Sequence, residues 1–247
     1  MLRVLRRLFW LQSDRSDMLM IFRVIRCVSV AVALLIAAAG VASFLACSHV
    51  GAGAESAKAR AAAAQNLTRQ PVSDTPQIKQ VVESAIEQIG QTFEYDSSYE
   101  KLGYPNGDVP VERGVCADVV VRGFRNAGVD LQKEIHEDMS QHFDAYPKKW
   151  GATKPDSNID HRRVANLMTF FERQGKSVPI TNSPSDYVPG DVVAWQLDTQ
   201  LLHIGIVTDA RLKGMRNYLI VHNIGAGARI EDVLMSWKII GHYRMWK

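Results

Sequence analysis

Cysteine is scarce in this chain: there are three in 247 residues, and two of them, Cys27 and Cys47, lie in or at the end of an N-terminal apolar run. Cys116 is therefore the only cysteine in the remainder, which excludes a small domain stapled by internal disulfides. Clustered positive charge is also missing outside the N-terminus. Residues 1–47 carry six Arg and two Asp, leaving 23 basic against 24 acidic side chains beyond them. The formal charge of +3 thus belongs to the leader, and the basic footprint of a nucleic-acid-binding domain is lacking. Neither a His-Glu-x-x-His nor a paired-cysteine spacing occurs, so neither a metal centre nor another cofactor is expected. No internal repeat is visible. A composition of 47% hydrophobic and 22% charged residues excludes a disordered or fibrous chain. It suits one globular domain with a non-globular extension.

What is present begins with that leader. Arg23 and Arg26 precede an uncharged apolar run from Cys27 to Ala46, long enough to cross a bilayer. Arginines on its N-terminal side predict that this end stays cytoplasmic and that everything after Ala46 is exported. Residues 1–47 then read as a signal peptide or a membrane anchor. Phe44-Leu45-Ala46-Cys47 also partly resembles a lipoprotein signal, so the mode of attachment stays open among the three. An Ala-rich spacer is expected over 48–74, with a folded domain over 75–247.

Within 75–247 the first half carries helical periods and the second half strand patterns. Thr75-Pro76 is a helix entrance followed by an apolar stripe through Ile89 to Gly90. From Thr92 to Arg113 no period holds, and a loop containing Tyr95, Tyr99 and Tyr104 is expected. A helix opens at Cys116, with Ala117, Val120, Val121 and Phe124 on one apolar face and Gly128 as its stop. Further helices are predicted over Asp130 to Ala145 and from Val164 to Gly175. His161-Arg162-Arg163 reads as the solvated start of the latter, although an Arg fork there could hold a carboxylate. His136, His142 and His242 read as surface or structural. After Pro189-Gly190, strands are predicted over Val192–Trp195, Leu201–Val207, Tyr218–Val221 and Lys238–Met245. Helices followed by an antiparallel sheet is the α+β pattern, with the helices packed on one sheet.

Cys116 stands where the unpaired N–H groups and the positive end of the helix dipole converge, a position expected to lower a thiol pKa. A lone thiol kept in an oxidising compartment suggests a use for it. Acyl transfer by a thiol requires a nearby base and a group that orients the base. His203 lies within an apolar strand and His222 at the end of the next, where neighbouring strands can set them side by side. Side chains alternate along a strand, so one of His222 and Asn223 faces the site, and His222 is the choice. Asp118 has two readings: a first-turn carboxylate that favours the helix dipole, or a group that grips a substrate amine. Pointing inwards, it would raise the thiol pKa.

Cys116 at a helix start, Pro189-Gly190-Asp191-Val192-Val193, His203-Ile204-Gly205-Ile206-Val207 and Val221-His222 follow the order of the NlpC-type cysteine peptidases, a bacterial branch of the papain-like fold. More narrowly, Gly114-Val-Cys-Ala-Asp-Val-Val, Asp160-His-Arg-Arg-Val, His222-Asn-Ile-Gly and Gly241-His-Tyr-Arg resemble an uncharacterised family of exported bacterial proteins. The resemblance implies a papain-like fold with Cys116 as nucleophile, His203 as general base and His222 as the residue orienting it. Tyr104, with Gly107 three residues later, matches a family tyrosine that could join the Cys116 N–H in an oxyanion hole. Asn223 is left as a substrate-binding candidate beside Asp118. The family usually has Asp-Cys-Ser-Gly, whereas Val115 precedes the cysteine here and Ala117-Asp118 follow it. The implied function is hydrolysis of an amide or peptide bond in the cell envelope, with peptidoglycan stem peptide as first substrate and no cofactor. The alternatives are a catalytically silent envelope-binding module and a thiol acyltransferase. Oligomeric state is not legible.

Overall fold

The computed structural model describes residues 66–71, 75–197 and 200–246. The expected leader and most of the Ala-rich spacer lie outside them. The helical periods become α1 (Pro76–Glu87), α2 (Cys116–Asn126), α3 (Leu131–His142) and α4 (Val164–Arg173). Their ends follow local chemistry. Asp130 caps α3 by accepting from the Gln132 N–H at 3.1 Å. At the end of α2, Gly128 takes φ +84°. Its N–H reaches the Arg125 carbonyl while that of Val129 reaches the Phe124 carbonyl. These are the paired bonds of a Schellman stop, where a Cβ at Gly128 would be strained. None of the described helices is long and apolar enough to cross a membrane.

Nine strands accompany the helices among the described residues: β1 (Leu67–Arg69), β2 (Glu94–Tyr95), β3 (Arg113–Gly114), β4 (Val192–Gln196), β5 (Leu202–Val207), β6 (Ala210–Leu212), β7 (Ile220–Asn223), β8 (Ala228–Glu231) and β9 (Lys238–Tyr243). Five form one sheet in the order β8-β7-β5-β4-β9, every pair of it antiparallel. The architecture is α+β, as expected. Three parts were not anticipated. β8 adds an edge strand, β2 and β3 pair in parallel inside the predicted loop, and β1 pairs with β6. The spacer predicted over 48–74 is corrected by this last pairing, since Leu67–Arg69 already belongs to the folded unit. Arg69 seals it by an ion pair at 2.8 Å with Asp209, whose side chain is buried.

Strand alternation divides the apolar residues between the two faces of the sheet. On one face Ile204, Ile206, Val192, Ala194 and Val221 pack with Val119, Val120 and Phe124 of α2 and with Leu167 and Phe171 of α4. On the other, Val193, Trp195, Val207 and Ile220 pack with Tyr187 and Leu234. Cys116 belongs to the first cluster.

Candidate active site

α2 meets the sheet where two strands separate. The β5–β7 ladder pairs Ile206 with Val221 and Val207 with Ile220, and the N-terminal part of β5 lies beyond that pairing. Alternate N–H groups of a strand point to the same neighbour, so the Ile204 N–H faces the space from which β7 has withdrawn. The Cys116 thiol faces it, close enough to the N–H groups of Ile204, Ala117 and Cys116 itself for these to favour the thiolate. The sulfur thus lies near the peptide bond that joins His203 to Ile204.

The electrostatics of this thiol differ from the expectation. Helix-entrance amides do favour the thiolate, but Cys116 is only 4% exposed. Burial pushes the thiol up to about 12, and the Asp118 carboxylate adds to the shift. A dipole effect on the order of 1 kcal/mol is outweighed by the loss of water around a charged sulfur. The expected low pKa is therefore corrected: the resting group is a neutral thiol.

His203 rises from β5 opposite Trp195, and their rings stack with centroids 5.8 Å apart. Trp237 stands edge-on to both imidazoles, at 5.8 Å from His203 and 6.2 Å from His222. In this apolar box Nε2 of His203 lies 2.8 Å from Nδ1 of His222, and Nε2 of His222 lies 2.9 Å from Oε2 of Glu231. Burial lowers His203 to about 3, with His222 adding to the fall. His222 is lowered too, by burial first, while Glu231 opposes. Both rings are thus neutral at rest. Choosing His222 over Asn223 agrees with this geometry, because His222 is the one bonded to His203.

Four expectations are corrected. Asn223 is fully buried and donates from Nδ2 to the Gly114 carbonyl at 2.9 Å. It holds the segment leading to Cys116 in place and has no surface for a substrate. Asp118 is equally committed. Its Oδ2 accepts the Val115 N–H at 2.7 Å, and Arg162 donates to both its oxygens at 2.9 and 3.0 Å. Arg162 is therefore not a solvated helix start: it is buried and also donates to the Ser98 and Asp96 carbonyls, each at 2.9 Å. Tyr104 is not at the thiol, since its ring stands edge-on to His136 of α3 at 5.1 Å. Tyr95 is there instead. The β2–β3 pairing sets it opposite Gly114, and it lines the same cleft as Cys116, near enough for the thiol to shift its titration. Burial, then the neighbouring Cys116, pushes this phenol up to about 12.

A cleft of about 680 Å³ opens onto Cys116, lined by Tyr95, Tyr99, Trp150, Leu201 and Leu202 and by the cations Lys149 and Arg163. The Arg163 guanidinium lies over the Trp150 ring, 4.3 Å from its centroid. Trp150 holds φ +60°, a left-handed conformation that is costly for a bulky residue. Sequence reasoning missed Tyr95 as the thiol's neighbour, Arg162 as its support and Glu231 altogether. Tyr95 could have been found as one of three loop tyrosines, while Glu231 carried no signal beyond an unassigned edge strand.

These features define an α+β protein with a buried helix-entrance cysteine and, on the neighbouring strands, a two-histidine chain that ends on a glutamate. Residues 82–245 match the family described as "Domain of unknown function (DUF1287)", and the chain belongs to that family. It is also 54% identical over 164 residues to "Uncharacterized protein YijF" of Escherichia coli (strain K12), an alignment covering 66% of this chain and 80% of that protein.

Proposed function

We propose that this chain is an exported, periplasm-facing cysteine hydrolase of the NlpC-type, papain-like kind, cleaving an amide or peptide bond in the bacterial cell envelope. The observation that carries the reading is the thiol of Cys116 close to the Ile204 N–H, one residue along the chain from His203, whose ring is in turn bonded to His222. Thiol and imidazole are both neutral at rest, which suits general-base attack in place of a preformed ion pair. His203 takes the thiol proton as sulfur bonds to the carbonyl carbon, and the carbonyl π electrons move to oxygen. In this reading the Cys116 N–H and the Tyr95 hydroxyl hold that oxygen. As the carbon–nitrogen bond breaks, His203 returns the proton to the departing amine. Water then attacks the acyl carbon and gives a proton to His203, and the carbon–sulfur bond breaks as His203 passes that proton to sulfur, which releases the acid and restores the thiol. No cofactor is required by these steps.

Lys149 and Arg163, with no carboxylate among the described lining residues, suit an acyl donor that itself carries a carboxylate. Trp150 and Tyr99 supply flat surface for its apolar part. Peptidoglycan stem peptide fits this description and is the substrate we propose to test first. The burial of Cys116 favours a second reading, a catalytically silent envelope-binding module on the same fold. Purified cell wall, digested with wild type and with Cys116→Ala and analysed by mass spectrometry, separates them. New free amino and carboxyl ends made by wild type alone support the hydrolase, whereas transfer to an added amine marks an acyltransferase. Identical digests from the two proteins support the silent module.

A further inference from the structure

Glu231 lies outside the cleft and has no part in the steps above, yet it closes the histidine chain. Its Oε2 sits 2.9 Å from Nε2 of His222. The His222 side chain is fully buried, whereas that of Glu231 is 39% exposed, so the carboxylate reaches in from the sheet edge. β8 makes this possible: antiparallel pairing sets Ile220 opposite Glu231 and His222 opposite Arg229, which puts Glu231 and His222 on one face.

We infer that Glu231 is a positioning residue that sets where the protons sit in the His203–His222 pair, leaving Nδ1 of His203 as the bare nitrogen that receives the Cys116 proton. A carboxylate oxygen only accepts hydrogen bonds. The proton between Glu231 and His222 therefore belongs to Nε2 of His222, and in a neutral ring Nδ1 is then unprotonated. Nδ1 of His222 lies 2.8 Å from Nε2 of His203, so Nε2 of His203 must be the donor there. In a neutral His203 this leaves Nδ1 with its lone pair. One exposed carboxylate thus orders two buried rings, and reversing the group at position 231 reverses every bond in the chain. Arg229, the other charged group facing His222, opposes any added positive charge on that ring. The last step, acceptance of the thiol proton, rests on the hydrolase reading, whereas the proton positions do not.

The test has two readouts. Nitrogen-15 NMR of the histidine side chains in the full domain assigns the protonated nitrogen of each ring without substrate. In wild type at neutral pH both rings should carry the proton on Nε2. Glu231→Lys places a donor against Nε2 of His222 and should move both protons to Nδ1. Glu231→Gln, whose amide oxygen still accepts, should keep the wild-type arrangement. With an envelope-peptide substrate, Glu231→Lys should lower kcat on the order of 10²-fold with KM unchanged, while Glu231→Gln stays within about tenfold of wild type. Should Glu231→Lys fail to fold, Glu231→Ala serves, with a mixture of both ring forms expected. Wild-type His203 protonated on Nδ1, or Glu231→Lys and Glu231→Ala both retaining the wild-type arrangement, overturns the inference. Failure of the hydrolase reading looks different: the predicted ring forms are present and no Cys116-dependent cleavage occurs.

Discussion

Replacing Arg162 with Met tests whether the thiol's support is as described. The guanidinium and the Asp118 carboxylate have side chains 2% and 4% exposed, respectively. Removing the cation leaves a buried carboxylate with a single backbone donor, the Val115 N–H. Breaking a buried pair of this kind costs about 3–5 kcal/mol. The Asp96 and Ser98 carbonyls also lose their donor, which adds roughly 1 kcal/mol. The expected total of about 4–6 kcal/mol corresponds to a fall in Tm of roughly 10–20 °C for a domain of this size. Urea unfolding followed by near-ultraviolet circular dichroism measures the loss directly. The double variant Asp118→Asn with Arg162→Met removes both charges while the Asn oxygen still accepts from Val115. It should recover to within about 2 kcal/mol of wild type, since removing both members of a buried pair costs little. A loss below about 1 kcal/mol in Arg162→Met, or a double variant no better than the single, would refute the account.

Three more expectations follow from the same geometry. Burial lowers His203 to about 3 and His161 to about 4, from 6.5. Above pH 6.5 both states of the chain hold these rings neutral. Below it the unfolded chain takes up protons first, so stability is lost as pH falls towards the folded values, at about 1.4 kcal/mol per pH unit for each ring. Urea midpoints that stay flat between pH 7 and pH 5 would contradict this. Alkylation of Cys116 by iodoacetamide should climb steadily through pH 9, because the thiol is pushed up to about 12; a plateau below pH 8 would show that the thiolate forms far more easily. Finally, a Cβ at Gly205 would stand 2.6 Å from Cγ2 of Ile220 and 3.2 Å from Cβ of His222. Gly205→Ala should destabilise by about 1–3 kcal/mol and push His222 away from His203, while Gly123→Ala, whose Cβ would meet the end of the Ile206 side chain at 2.7 Å and Val81 only at 3.6 Å or beyond, should be milder. Equal losses in the two variants would argue against tight packing behind the histidine pair.

Much of this protein is legible along the chain because helices and strands are built from near neighbours. The apolar period from Ala117 to Phe124, the Gly128 stop, the Asp130 cap and the alternation in Val192–Trp195 and Leu202–Val207 each arise within a few residues. So does the placing of Cys116 at a helix entrance. Alternation on one strand showed only that one of His222 and Asn223 faces the site, and the family resemblance supplied the choice of His222. The sequence by itself thus determined the α+β class, the main helices and four of the five strands of the main sheet. Which groups meet was decided by contacts between distant segments. The bond between His203 and His222 spans 19 residues, that between Asp118 and Arg162 spans 44 and that between Gly114 and Asn223 spans 109. No local period encodes such pairings. That Tyr95 and not Tyr104 reaches the thiol depends on a two-residue parallel pairing. That the thiol is raised and not lowered depends on how much water the packed sheet excludes, a quantity that exists only once the tertiary structure has formed.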